Sequence, residues 1–192
     1  TTGSDPIFVF VSGRYAYVVN QSSNTLQIFD VSNPSSPVAV GSATTGTTPL
    51  SVFVSGRYAY TANFTASTLQ IFDVSNPSSP VAVGSAGTGT GTRSVFVSGR
   101  YAYVTNQTSN TLQIFDVSNP SSPVVVGSAT TGTTPRSVYV SGRYAYVVNQ
   151  NSNSINVFDI SGIETTSAIV HSLEAGNLQV RNDIIAQGLL QV

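Results

Sequence analysis

The chain contains no cysteine, no methionine, no tryptophan and no lysine, and its only histidine is His171. Without cysteine there can be no disulfide staple, no thiolate-held metal and no thiol nucleophile. With one imidazole, a Ser-His-Asp site would need His171 itself in a cleft, and no second histidine exists to activate a nucleophile. A surface or edge histidine is the plainer reading. Charge is scarce too, at 8% of residues against roughly 25% in ordinary globular chains. The formal net charge of −1 supplies no field that would recruit nucleic acid or an anionic membrane. No apolar run reaches the length of about 18 residues that a spanning helix needs, so no membrane insertion is expected. No signal peptide is visible.

What the chain does have is repetition, and a fixed period decides the architecture before any local reading. Ser-Gly-Arg-Tyr-Ala-Tyr occurs four times, with its arginine at Arg14, Arg57, Arg100 and Arg143, a constant step of 43 residues. Leu-Gln-Ile-Phe-Asp-Val-Ser-Asn-Pro-Ser-Ser-Pro runs from Leu26 to Pro37 and recurs from Leu69 to Pro80 and from Leu112 to Pro123. The fourth copy drifts to Ile155-Asn-Val-Phe-Asp-Ile-Ser161. Repeats are expected over about 7–49, 50–92, 93–135 and 136–176, followed by a tail at 177–192. The opening Thr1-Thr-Gly-Ser-Asp-Pro6 matches the joining segments at 44–49 and 130–135, so the sequence is expected to be a piece of a longer array.

Each repeat reads as four short strands with no helical period. Ser51–Ser55 is β-prone and stops at Gly56-Arg57, a turn signal. Tyr58–Ala62 follows, then Thr68–Val74. Asn76-Pro-Ser-Ser-Pro80 cannot extend a ladder, because its prolines lack the amide donor. Val81–Ser85 is the fourth strand. Tyr58 and Tyr60 alternate with Ala59, which predicts aromatic residues on one face and small ones on the other, both packed. Four strands in 43 residues is the size of a propeller blade, so the expected fold is all-β: a β-propeller of four four-stranded blades plus a C-terminal β tail. A closed four-blade ring, part of a larger ring and a ring shared between subunits all remain open.

Tyr103-Val-Thr-Asn106, with Tyr17-Val-Val-Asn20 and Tyr146-Val-Val-Asn149 as close variants, resembles the signature of the YVTN β-propeller repeats. Leu26-Gln-Ile-Phe-Asp30 followed by Val-Ser-Asn-Pro resembles the related LVIVD repeats. The resemblance covers roughly residues 7–176. It implies a propeller fold and an origin among bacterial and archaeal surface and secreted proteins of varied role, and it cannot assign chemistry.

The recurring polar residues are best read as structural. Asp30, Asp73, Asp116 and Asp159 precede a turn, where a short carboxylate can accept backbone amides. One acid per blade is too few oxygen ligands for calcium. Arg14, Arg57, Arg100 and Arg143 are expected to bond carbonyls or to pair with aspartates, with an anion-binding ring as the sharper alternative. Arg93 and Arg136 vary between blades and read as exposed rim positions. Tyr15, Tyr17 and their mates are expected in blade packing; a sugar-stacking role is the alternative, with a glycan as ligand. Asn20, Asn63 and Asn106 head N-x-Ser/Thr sequons that could carry glycans in an exported protein.

No catalytic, cofactor or metal residue is predicted. The tail carries apolar residues at Leu178, Val180, Ile184, Ile185, Leu189, Leu190 and Val192, with strand-like alternation at Leu178 and Val180 and again at Leu190 and Val192, a pattern suited to strand addition on its own propeller or a neighbouring subunit. The sequence therefore reads as a non-enzymatic extracellular or cell-surface module, structural or adhesive, that self-assembles into a homo-oligomer or filament. A soluble carbohydrate- or peptide-binding propeller is the alternative.

Overall fold

The computed structural model describes residues 1–160, and within them the chain is all strand and turn. The first blade is β1 (Pro6–Ser12), β2 (Tyr15–Asn20), β3 (Thr25–Asp30) and β4 (Val38–Thr44). The second is β5 (Pro49–Ser55), β6 (Tyr58–Asn63), β7 (Thr68–Asp73) and β8 (Val81–Gly87). The third is β9 (Thr92–Ser98), β10 (Tyr101–Asn106), β11 (Thr111–Asp116) and β12 (Val124–Thr130). The fourth begins with β13 (Pro135–Ser141), β14 (Tyr144–Asn149) and β15 (Ser154–Asp159). Each blade is an antiparallel meander in chain order. The expected fourth strand of the last blade, His171 and the tail from Leu178 to Val192 lie outside the described residues.

Local chemistry sets the turns. Gly56 has a φ of +57° at the first central position of the two-residue link between β5 and β6, the position that a type II′ hairpin reserves for glycine. The β2–β3 turn ends at Asn24 with a φ of +54°, a left-handed conformation that asparagine tolerates better than most residues. After β3, Asp30 Oδ1 accepts the Ser32 amide at 2.9 Å and Asn33 Oδ1 accepts the Ser35 amide at 3.2 Å. These two side-chain caps turn the chain back toward β4.

Four strand bounds of the second blade differ from expectation, two of them by short extensions, β6 to Asn63 and β8 to Gly87. β5 starts at Pro49, which pairs with Asn63 across a bulge; a proline is tolerated as a strand's first residue because its missing donor lies at the ladder's end. β7 ends at Asp73 rather than Val74, because the aspartate side chain is already capping the next turn.

Both faces of an inner blade are packed, as the alternation predicts. Val52, Val54, Ala59, Phe72 and Val74 of the second blade pack on Tyr17, Val19, Leu26 and Ile28 of the first. The opposite face, with Tyr60, Ala62, Leu69 and Ile71, packs on Val95, Val97, Ala102 and Val104 of the third. The same scheme joins the third blade to Val138, Val140, Ala145 and Val147 of the fourth. The outer edge adds a close approach: a Cβ on Gly41 or Gly84 would overlap the backbone carbonyl of Pro77 or Pro120 in the next blade.

The blades follow one another as an arc. β1 packs on β5, β5 on β9 and β9 on β13, whereas no comparable packing joins β13 to β1.

Candidate functional site

Three features of the described residues could act on something outside the fold. They are a rim of charged triads, a row of shallow grooves and the two unpartnered ends of the arc.

On the rim, Arg14, Arg57, Arg100 and Arg143 each pair with an aspartate of the same blade, Asp30, Asp73, Asp116 and Asp159 respectively. The pairing follows from register. Tyr58 lies opposite Asp73 on adjacent strands, so the preceding turn residue Arg57 hangs over the carboxylate. Each guanidinium also covers the neighbouring tyrosine ring, with centroid distances of 5.4, 5.4, 5.2 and 5.3 Å for Tyr15, Tyr58, Tyr101 and Tyr144. The arginine hydrogen bond, aided by the serine cap, holds the Asp30 and Asp73 carboxyls well below the usual carboxylate range and Asp116 at about 2. Each of these turn arginines is thus matched by one carboxylate, which leaves little of their charge for an anionic ligand.

The tyrosines divide by face. Tyr17, Tyr60 and Tyr103 are buried between blades, and burial pushes the Tyr17 and Tyr60 hydroxyls up from their ordinary pKa. Phe10, Phe53, Phe96 and Tyr139, one from each inner strand, form a continuous row with ring centroids 4.7, 4.7 and 5.0 Å apart.

Arg93 and Arg136 are not simple exposed rim residues, as their variability led us to expect. Both are half-buried at the start of the inner strands. Arg136 ties blades three and four together, donating to Gln150 Oε1 at 2.6 Å and Gln107 Oε1 at 3.0 Å. Burial, with Arg136 nearby, lowers the Arg93 pKa. Of the two, Arg136 spans a joint between blades, which its variation in the sequence did not reveal.

The sequon asparagines have a structural occupation in the folded blade. Asn20, Asn63 and Asn106 are fully buried. The Nδ2 that would carry a glycan donates to Thr25, Thr68 and Thr111 Oγ1 at 3.0, 3.1 and 3.1 Å and reaches Gln27, Gln70 and Gln113. Those glutamines in turn accept the Gly3, Gly46 and Gly89 amides at 2.9, 2.8 and 2.7 Å, clasping each joining segment to its blade. In the fourth blade Asn156 does the same for Gly132 at 2.8 Å. Sequence reasoning missed this glutamine, although its constant spacing from the asparagine was in view. The asparagine Oδ1 atoms, including that of Asn149, have no protein donor.

Between the Asx-capped loop and the outer strand of the second and third blades lies a shallow groove. One of about 400 Å³ is lined by Asp116, Ser118, Asn119, Ser122, Val124 and Val126. Its counterpart in the second blade has Asp73, Ser75, Asn76, Ser79, Val81 and Val83.

At the ends of the arc, residues that are buried inside it stand in the open. Val9 and Val11 of the first blade are 56% and 58% exposed, although their counterparts Val52 and Val54 are at 1% and 6%. On the opposite face of the fourth blade, Val148, Ile155 and Val157 are 46%, 59% and 54% exposed. Their counterparts Val19, Leu26 and Ile28 are all at 0%.

Similarity to known proteins agrees with the architecture. The chain is similar to the periplasmic gluconolactonase of Pseudomonas aeruginosa, at 22% identity and a TM-score of 0.72 over 80% of this chain and 49% of that one. It is similar to the hydrazine synthase of Kuenenia stuttgartiensis, at 19% identity and 0.71 over 83% and 47%. It is also similar to the computationally designed Ika4 protein, at 7% identity and 0.70 over 84% and 94%. The chain therefore spans about half the length of the two natural structures. At such identities the likeness concerns the fold. It nevertheless overturns the expectation of a chain that is not an enzyme: the same fold occurs in a protein named as a gluconolactonase, so the repeat architecture is no argument against catalysis. No curated protein matches the sequence. The LVIVD repeat matches residues 8–45, 49–88, 89–131 and 133–163, one match per blade, and the chain belongs to the LVIVD repeat family.

Proposed function

We propose that this chain is a building module of an extracellular or cell-surface structure, joined to further copies of itself. The observation that carries this reading is the exposure of Val9 and Val11 at one end of the arc and of Ile155 and Val157 at the other. Repeat arrays that work as single units end in polar capping repeats, because an apolar blade face in water invites association. Here the first and fourth described blades keep valine and isoleucine exposed at those positions. The low charge, the lack of cysteine and methionine, and the abundance of serine, threonine and asparagine suit a durable external surface.

Sedimentation velocity across a wide concentration range, with electron microscopy of the same samples, tests the proposal. Oligomers or filaments that grow with concentration are the expected result. A monomer at every concentration would sink it.

A second reading is supported by the recurring groove with its serine, asparagine and valine lining. A shallow cleft of hydroxyl, amide and valine side chains, repeated in two successive blades, suits an extended glycan or peptide. A monodisperse chain that is retained on a glycan array, and loses retention when Ser122 and Asn119 are replaced by alanine, would favour this reading over the first.

A further inference from the structure

Two arginines stand outside the rim triads. Ile7, Leu50, Arg93 and Arg136 hold the same place in their repeats, 43 residues apart. Each is the extra residue of the bulge that opens an inner strand. Arg93 lies between Thr92, opposite Asn106, and Ser94, opposite Thr105. Arg136 lies between Pro135, opposite Asn149, and Ser137, opposite Val148. A bulge re-aims the side chain it inserts. In the second blade it leaves Leu50 only 7% exposed. In the third and fourth blades the same bend half-buries a guanidinium.

The surroundings supply no compensating charge. The rim salt bridges lie at the other end of the inner strands, and among the described residues neither Arg93 nor Arg136 has a carboxylate partner. Arg136 is held by two neutral acceptors, Gln150 Oε1 and Gln107 Oε1. One blade back, the corresponding partners for Arg93 are Gln107 and position 64. Gln107 Oε1 already faces Arg136, and position 64 is a phenylalanine whose ring lies against Gly91. Among the described residues the Arg93 guanidinium has no acceptor. Gln107 links the two positions: its amide donates to the Gly91 carbonyl at 2.7 Å, two residues before Arg93, while its side chain reaches Arg136. The strands that carry the arginines, β9 and β13, pack on each other. Burial and the Arg136 charge both lower the Arg93 pKa. A half-buried cation beside a second cation is unfavourable until an anion joins them.

We infer that Arg93 and Arg136, with Gln107 between them, bind a dianionic oxoanion, the phosphate or sulfate group of a ligand. The uncommitted fork of Arg93 can meet such a group with two parallel N–H···O bonds. Arg136 adds its charge from a position fixed by its glutamines. Two positive charges with no acid beside them favour a group bearing two negative charges over a carboxylate bearing one. The site does not depend on how copies of the chain associate.

Isothermal titration calorimetry of the full chain with inorganic phosphate, inorganic sulfate and glucuronate, at matched ionic strength, tests this. Phosphate and sulfate should bind saturably, one per chain, and shift the Arg93 and Arg136 Nε–H resonances. Glucuronate should bind more weakly by about tenfold, the effect of one lost charge-assisted contact. Phosphate binding should weaken as pH falls through its second ionisation while sulfate binding holds, because arginine keeps its charge. The tighter of the two names the group. Arg93→Leu copies Leu50 of the second blade, so the fold should accept it. It should abolish binding and leave the anion-free melting temperature level or higher. Gln107→Glu sets a carboxylate beside both arginines, and should raise the melting temperature and shut out phosphate.

No saturable heat with either phosphate or sulfate overturns the inference. So does glucuronate binding as tightly as they do, or phosphate binding that survives in Arg93→Leu or Gln107→Glu. An Arg93→Leu chain that melts well below the parent without anion also overturns it, because Arg93 is then a structural contact.

Discussion

The Gln70 side chain accepts the amide of Gly46 at 2.8 Å and the Asn63 amide group at 3.4 Å, so one carboxamide holds a joining segment to a strand end. Backbone bonds hold the rest of that segment, with Thr45 donating to the Asn24 carbonyl at 2.9 Å and Thr48 accepting the Phe64 amide at 2.8 Å. Each blade has the same clasp, at Gln27, Gln113 and Asn156.

Replacing Gln70 by alanine should leave the half-buried Gly46 amide without its acceptor, while Asn63 Nδ2 keeps Thr68. The cost of an unsatisfied buried polar group is about 1–3 kcal/mol. A lower urea midpoint with an unchanged m-value is expected. Gln70→Asn should recover part of the loss, since Asn156 makes the equivalent bond in blade four.

Gly84 and Gly87 lie on the same strand and should respond in opposite ways to alanine. A methyl at Gly84 would overlap the Pro120 carbonyl of the next blade, whereas one at Gly87 meets nothing within 4 Å. Overpacking costs about 1–3 kcal/mol, so Gly84→Ala should lower the denaturation midpoint. Gly87→Ala should hold or raise it, by up to about 1 kcal/mol through unfolded-chain entropy. Thr44 and Thr130 already occupy the equivalent sites.

The rim carboxylates set an acid limit. A depressed folded-state pKa contributes stability above the unfolded value, near 4 for aspartate, and that contribution disappears as pH falls through the folded value. For Asp116 the window therefore runs from about 4 down to about 2. Carboxyl ¹³C shifts should show Asp30, Asp73 and Asp116 still ionised at pH values just below the ordinary aspartate pKa. In Arg100→Gln the Asp116 transition should move up toward the ordinary range.

Asn20, Asn63 and Asn106 should remain unmodified in the folded protein, since Nδ2 is buried and bonded in each. Intact mass of protein secreted from a glycosylating host, before and after endoglycosidase treatment, checks this. Any glycan shift at these sites would contradict it.

Removing residues 177–192 should leave the mass of the assembly unchanged if the blade faces are the joint. Loss of association on deletion, read by light scattering, would point to the tail instead.

Much of the blade was legible in the sequence because its signals are local. Gly56 marks a turn that needs positive φ, Asp73 and Asn76 cap their own loops, and Pro77 and Pro80 end a ladder. The alternation of Tyr58, Ala59 and Tyr60 announced two packed faces. The sequons were harder, since an N-x-Ser/Thr pattern is silent on whether the asparagine points into solvent or into Thr68 and Gln70. Arg136 misled for a related reason: its partners Gln150 and Gln107 come from another turn and another blade.

Sequence by itself determined the 43-residue period, the four strands of each blade, the all-β class and the family, because each follows from spacing and turn chemistry within a few residues. Only the tertiary structure decided that the arc stops short of closing. It separated Val9 from Val52, the same residue in the same motif, leaving one in the open and covering the other. The physical reason is that closure is a sum of small rotations over every joint. No single repeat contains that sum, and four nearly identical blades can express it only once they are stacked.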